Sequence, residues 1–545
     1  MTDVPGDRAP SLPARTPPVA SSRPTADRPL LSPTAAAAIA GAVAAAVAIG
    51  TSELLAGFLP GAPSLVVAIG QTVIDFQPPG AKDIVVGLFG TNDKVALEIF
   101  IVAVAIALAA GLGIVARHRF WLAALGFIAA GVAAAAAAFR DPRNDAMLTF
   151  IAAAVAVAAG LQALSWLIAA LTPRAGVAER GRAARRARAE TAIDWSRRGF
   201  LGRAAALGVV AAGATVLGRT LVQGQRQSTA AAESLIPHPT AVASLPPGAA
   251  LPVRGISPIV VPNGDFYRID TALLVPNVDV TTWQLRIHGL VDRETTLTFK
   301  QLVELGTFEQ YVTIACVSNL VGGDLVGNAK WTGVKLRDVL AIAGVRPEAT
   351  QLVGRSVDGW TSGMPTSWVM DTAREPMIAV EMNDEPLPAV HGFPARLIVP
   401  GLYGYVSATK WLKELELTTL EAFDAYWVPL GWSKQAPILT QSRIDVPGGS
   451  VLPGTVPIAG VAWAPDRGVS RVEVAIDGAW RDATLSSPIS KATWVQWRTE
   501  WAATPGDHVL MVRATDGRGQ VQTSEESPPA PNGARGYHTV SVHVG

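Results

Sequence analysis

The chain has 545 residues, with 45 Lys and Arg against 44 Asp and Glu and a pI of about 7.9, so it offers no charge imbalance that would recruit a nucleic acid. Hydrophobic residues make up 49% and charged residues only 16%, which is too apolar for a wholly soluble chain and points to a membrane part among three or four domains. One cysteine in the whole sequence excludes an internal disulfide and a Cys-ligated iron–sulfur cluster.

Residues 1–33, rich in Pro, Ala, Ser and Arg without a hydrophobic period, read as a disordered tail. Within 34–173, Ala/Val/Ile-rich runs at 35–59, 96–116, 120–139 and 147–171 each reach the roughly 20 residues that cross a ~30 Å hydrocarbon core as a helix. The apolar piece 64–74 is too short to cross and reads as re-entrant or interfacial. Basic residues cluster at Arg8, Arg15, Arg23 and Arg28, at Arg117 and Arg119, and at Arg174, Arg180, Arg182, Arg185, Arg186 and Arg188. With four spans these clusters share one side, the cytoplasmic one. Glu53 and Glu98 lie in or at the ends of spans, and an intramembrane carboxylate is either functional or placed at the outer interface.

The basic segment 174–198 leads into Ser196-Arg197-Arg198-Gly199-Phe200-Leu201 and a Gly/Ala-rich helix at 199–221. This stretch is a fifth span with a basic flank, or it resembles a twin-arginine export signal set inside the chain. Both readings place everything beyond 221 outside the cytoplasm. Residues 222–253 are rich in Pro, Ala and Ser and read as a linker. His118 is the one histidine in the membrane half, which excludes a bis-His haem there, so electrons are expected to pass through an external carrier, a cytochrome or a quinone system.

The stretch YVTIACVSNLVGGDLVGNAKWTGVKLRDV at 311–339 carries Cys316. A free Cys after an apolar, β-branched strand is either a small buried hydrophobe or, as a thiolate, a soft metal ligand. Gly322, Gly323 and Gly327 allow close backbone approach to a bulky group. A second block, EMNDEPLPAVHGFPARLIVPGLYGYVSATKWL at 381–412, holds His391, Arg396 and Lys410. From about 425 the pattern becomes short alternating strands, TVPIAGVAWA, SRVEVAIDG, WVQWRTEWAA, HVLMVRATDG and YHTVSVHV, the spacing of an immunoglobulin-like β-sandwich.

Cys316-Val317-Ser318-Asn319, followed by Trp331, Gly333, Leu336, Asp338, Val339 and Leu340 and then by the second block, resembles the sulfite oxidase family of molybdenum enzymes over about residues 256–545. The resemblance implies a multi-domain chain: an all-α transmembrane bundle, an α+β molybdopterin-binding domain at 254–424, and the sandwich at 425–545, which the family uses for homodimers. It implies a molybdenum–molybdopterin cofactor with Cys316 as the protein's ligand to the metal. His391, Arg396 and Lys410 match family residues that grip the pterin and its phosphate, the right chemistry for an anion. Arg268 and Asp270 lie in an FYRID segment where the family has R-N-H, with Asp270 and Thr271 replacing its last two residues. Asn319 closes the Cys turn. Asp358 and Ser362 lie in a polar loop at 356–371 suited to bonding a pterin, or simply exposed. Arg467 falls where sulfite oxidases send an arginine toward their anion pocket.

The implied activity is oxygen-atom and two-electron transfer on a small-molecule substrate. Leu320 and Val321 stand where sulfite oxidases have two arginines, and Val380 where they have a tyrosine. Burying sulfite without cationic partners is costly, so a neutral S-oxide or N-oxide is expected, as for the family's methionine sulfoxide reductases. Sulfite oxidation is the alternative, and a membrane-tethered binding module that has lost its cofactor is the alternative of another class.

Overall fold

Twenty-residue apolar runs need no tertiary information to become helices, and they do so here. The structure is a computed structural model that describes residues 32–59, 61–78, 93–141, 144–171, 182–224 and 230–545, with the backbone alone for 182–198, 222–224 and 230–231. The expected tail up to residue 31, residues 60 and 79–92 of the loop at 60–94, and residues 142–143, 172–181 and 225–229 lie outside the described residues.

Helix α1 (Pro33–Phe58) starts at a Ser32 cap whose Oγ accepts from the Ala35 N–H at 3.1 Å, with Pro33 at the first position. It is followed by the short α2 (Leu65–Asp75), then α3 (Asp93–Ala116), α4 (Phe120–Ala138), α5 (Ala146–Leu171) and α6 (Arg182–Gly224). Helices α1, α3, α4 and α5 and residues Gly199–Leu221 of α6 are long and apolar enough to cross a membrane. In a lipid-like interior helices associate through close packing of small residues. At Gly41 a Cβ would come within 1.9 Å of the Ala109 carbonyl oxygen, and at Gly113 within 2.1 Å of that of Ala37, so only glycine lets α1 and α3 approach. At one end of these helices Arg219 pairs with Glu98 at 2.6 Å and Glu53 at 3.6 Å, and Ser64 Oγ donates to Glu53 at 2.6 Å. The buried Glu53 is thereby satisfied, a clamp between α1, α3 and α6.

Residues 234–253 are more than a tether. Thr240 N–H donates to the Thr307 carbonyl at 2.8 Å, Glu309 N–H to that of Ala241 at 2.9 Å, and Leu251 N–H to Gln496 Oε1 at 2.6 Å, while Ala249 is buried. A segment without a side-chain period satisfies its backbone along a neighbouring edge instead.

The next unit has two sheets. Strands β1 (Gln284–Gly289), β2 (Thr295–Thr298), β3 (Thr307–Ala315), β4 (Val326–Lys335), β5 (Gln351–Ser356), β6 (Thr361–Pro365), β7 (Met377–Met382), β8 (Glu385–Pro386), β9 (Arg396–Ile398) and β10 (Leu412–Thr418) are ordered β2-β1-β10-β5-β6 and β3-β4-β7-β8, with β9 also on β7. Helix α7 (Leu336–Ala343) buries Leu336, Val339, Leu340 and Ala343 at the i, i+3, i+4 and i+7 spacing. At Gly333 a Cβ would lie 2.2 Å from the Ile378 carbonyl oxygen, so glycine is what allows β4 to pair with β7 across their register shift.

The C-terminal unit stacks two further sheets. Strands β11 (Gln441–Val446), β12 (Gly449–Val451), β13 (Gly454–Trp463), β14 (Val469–Ile476), β15 (Ala479–Asp482), β16 (Thr484–Leu485), β17 (Val495–Ala503), β18 (Gly506–Asp516) and β19 (His538–Val544) form orders β11-β13-β17-β16 and β12-β19-β18-β14-β15. Ile458, Val474, Trp497 and Leu510 from both sheets share one core. This unit begins at Gln441, so the boundary expected at 424/425 is too early: the onset of strand alternation does not mark Trp427 and Trp432, which line the preceding unit's cleft.

Candidate active site

Strand β3 ends at Ala315 and β4 begins opposite it at Val326, so Cys316 opens a ten-residue connection. Cys316 N–H donates to the Leu325 carbonyl at 2.9 Å, and Asn319 N–H donates to that of Cys316 at 3.1 Å. Asn319 Oδ1 accepts from Leu325 N–H at 2.9 Å and pins the loop. Ala315 and Val317 are buried, while Cys316 between them is partly exposed and faces a cleft. The reading as a mere buried hydrophobe therefore fails for this thiol.

The cleft holds about 790 Å³ free of protein atoms, part of it open solvent. Cys316, Asp270, Asp358, Arg396 and Lys410 all line it, together with Ser318 and Ser356. Tyr267, Trp360, Tyr405, Trp411, Trp427 and Trp432 form an aromatic wall that the motif comparison did not single out. The YWVPLGW run at 426–432 was the available signal.

Arg396 on β9 is the most informative charge. It is 5% exposed, its Nη1 donates to the His391 carbonyl at 3.2 Å, and its Nε has no partner. Burial lowers its pKa to about 10. Lys410 Nζ bonds Asp270 Oδ2 at 2.9 Å and the Val390 carbonyl at 3.0 Å, and burial lowers it to about 8. Burial opposes the Asp270 carboxylate, but Lys410, Lys94 and Arg268 around it hold its pKa well below the ordinary value. Arg268 Nε sits 3.2 Å from Asp270 Oδ2 behind the cleft. His391 Nε2 donates to the Asn263 carbonyl at 2.8 Å, which leaves Nδ1 as a buried acceptor without a donor, and burial lowers the ring's pKa to about 4.

Four expected residues stand behind the lining: Arg268, His391, Asn319 and Ser362. Asn319 shapes the Cys loop, and the buried Ser362 bonds Thr409 Oγ1 at 2.6 Å beside Lys410. Arg467 is not brought to the cleft. Its Nε donates to Asp516 at 2.8 Å, Nη1 to Asp466 at 2.7 Å and Nη2 to the Ile438 carbonyl at 2.8 Å, so its charge is spent on buried carboxylates. The glycines expected to admit a cofactor meet protein instead: a Cβ at Gly322 would strike the His538 ring, at Gly323 the Asn319 Oδ1, and at Gly327 the Phe266 ring. Leu320 is 62% exposed and Val380 is buried, and neither lines the cleft.

Residues 272–427 match the family described as oxidoreductase molybdopterin binding domain. An uncharacterized oxidoreductase, YuiH of Bacillus subtilis, is 34% identical over 154 residues, which are 28% of this chain and 74% of that one. The chain belongs to the sulfite oxidase family of molybdopterin oxidoreductases. Rat mitochondrial sulfite oxidase is 29% identical over 321 residues, so the chain spans 58% of that relative's length and matches it over 49% of its own. A chain of the sulfane dehydrogenase SoxCD from Paracoccus pantotrophus covers 58% of this chain and 92% of its own at 22% identity, with a TM-score of 0.47.

The family's cofactor is molybdenum–molybdopterin, and the residues present fit it. A partly exposed thiol suits the metal. A buried guanidinium with an unsatisfied Nε, a buried ammonium and the unpartnered Ser356 Oγ, all on the lining, suit a phosphate-bearing heterocycle with donor and acceptor edges. Lys94, the further cation near Asp270, comes from α3. Nothing in its sequence context separates it from an ordinary charge flanking a span.

Proposed function

We propose that the chain is a membrane-anchored, extracytoplasmic molybdenum oxidoreductase that acts on a neutral S-oxide or N-oxide and exchanges electrons with an external cytochrome or quinone carrier. The cofactor, when bound, supplies oxygen-atom and two-electron transfer. Cys316 would hold the metal through its thiolate, and Arg396, Lys410 and His391 would hold the pterin and its phosphate. The aromatic wall excludes water and takes up an apolar substrate body.

The observation that carries the substrate reading is the state of the cations. Among the described residues lining the cleft, Arg396 and Lys410 are the cations, and both are committed to the cofactor, while Arg467 is locked by Asp466 and Asp516. A doubly charged substrate would lose its hydration without a dedicated partner. Membrane anchoring rests on the five apolar helices and on the basic clusters that follow every second one of them along the sequence. The two-sheet C-terminal unit is read as the immunoglobulin type.

Steady-state kinetics with an artificial electron carrier test the proposal. Turnover of an S-oxide or N-oxide at lower KM than sulfite is expected. Efficient sulfite oxidation at low KM would refute the substrate reading.

A further inference from the structure

Asp270 is the point where the membrane bundle and the cofactor unit meet. Its carboxylate is almost fully buried, and it divides its oxygens between two lysines from different units. Lys94, in the first turn of α3, pairs with Oδ1, and Lys410 pairs with Oδ2 at 2.9 Å. Lys94 Nζ also donates to the Ala272 carbonyl at 2.8 Å, which fixes it beside the cleft. Two more contacts follow the same seam. Tyr426 Oη donates to Asp75 at the end of α2 at 2.9 Å, next to the cleft residue Trp427, and Gly70 of α2 lies so close to Leu273 that a Cβ there would come within 2.5 Å of Leu273 Cδ1.

We infer that the membrane bundle completes the cofactor site, with Lys94 as a positioning residue that, through Asp270, keeps Lys410 free for the anionic end of molybdopterin. An ammonium has three donors, and Lys410 spends one on Asp270 and one on the Val390 carbonyl. The third remains for a ligand. Were Lys94 absent, the whole Asp270 charge would fall to Lys410 and Arg268, and the net positive field at the cleft would drop by one charge in a setting where screening is weak. Lys94, Arg268, Lys410 and Arg396 against Asp270 leave a cationic excess that an anion answers. The inference rests on the reading of this chain as a membrane-anchored molybdopterin enzyme and adds that anchor and site are one structure.

The test uses the full chain in detergent, purified from a host that makes the cofactor, with molybdenum measured by mass spectrometry and pterin by fluorescence after oxidation. Lys94→Met should retain about tenfold less molybdenum and pterin, in the range of couplings between neighbouring sites, and Lys94→Arg should restore most of it. Tyr426→Phe, which removes the Asp75 contact and leaves the charges alone, should retain the wild-type content. Thermal unfolding of each variant monitors folding. Wild-type content in Lys94→Met overturns the inference, and so does an equal loss in Lys94→Met and Tyr426→Phe, which would make Lys94 a docking contact only. A wild-type chain lacking both molybdenum and pterin would instead refute the cofactor assignment itself.

Discussion

Replacing Arg396 by methionine should separate binding from stability, because this charge is buried without a carboxylate partner among the described residues. Among the described residues it has no carboxylate within ion-pair distance, its one hydrogen bond goes to the His391 carbonyl, and its guanidinium lies 5.3 Å from the Trp331 ring centroid. Burial moves its pKa from 12.5 to about 10, and at about 1.4 kcal/mol per tenfold the cofactor-free protein carries roughly 3 kcal/mol of unfavourable charge. Methionine is unbranched and fills similar space. It forfeits a hydrogen bond of about 1 kcal/mol and a cation–π contact of about 1 kcal/mol. The balance leaves cofactor-free Arg396→Met about 1 kcal/mol more stable than the cofactor-free parent, a rise of roughly 2–4 °C in Tm. Cofactor content should fall about 10- to 100-fold, the worth of a hydrogen bond to a charged group. Both proteins are made in a host unable to synthesise the cofactor for thermal unfolding, and in a competent one for molybdenum and pterin analysis. A cofactor-free variant that melts 5 °C or more below its parent, or a variant that keeps its cofactor, refutes the reasoning.

Cys316→Ser should leave pterin content near wild type, since Arg396, Lys410 and His391 remain, yet abolish turnover and shift the metal's absorption; unchanged activity would remove Cys316 from the metal. Retention of cofactor should decline as pH rises above about 8, where the free site's Lys410 loses its proton and an anion must re-protonate it to bind. Over the same interval, from about 8 toward the ordinary 10.5, the cofactor-free fold should gain stability, because the unfolded chain then holds the proton that the folded one has released. Molybdenum content after gel filtration across that range checks the first trend and a flat profile would contradict it. Changing Arg197 and Arg198 together to Lys keeps the charge but removes a receptor-read export signal, so protease access to the C-terminal units from outside the cell should fall; full access would mean that the pair is only a basic flank.

The features that local physics determines were legible in the sequence. The apolar runs became α1, α3, α4, α5 and residues Gly199–Leu221 of α6 within a few residues of their expected limits, because a long apolar run satisfies its own backbone most simply as a helix. The strand, Cys turn and Trp331-x-Gly333 block was equally legible, since its loop is held by bonds between Cys316, Asn319 and Leu325, close together in the chain. What failed depended on distant partners. Arg467 finds Asp516 almost fifty residues away, Gly322 finds His538, and Asp270 finds Lys94, and no spacing rule reports such pairs. The cleft wall at Trp427 and Trp432 was missed because the change to strand alternation was taken as a boundary.

The extended run at 234–253 decides where this protein can be cut. It bonds to Thr307 and Glu309 at one edge and to Gln496 at another, so it splints the two β-sheet units together. A soluble form starting at residue 254, where composition suggests a boundary, would lose that splint and uncover Phe308, which pairs with Ala241. A form starting ahead of Ser234 keeps it and still discards the apolar helices, though it gives up Lys94 as well. Preparations of the two lengths would therefore differ in solubility before they differed in chemistry.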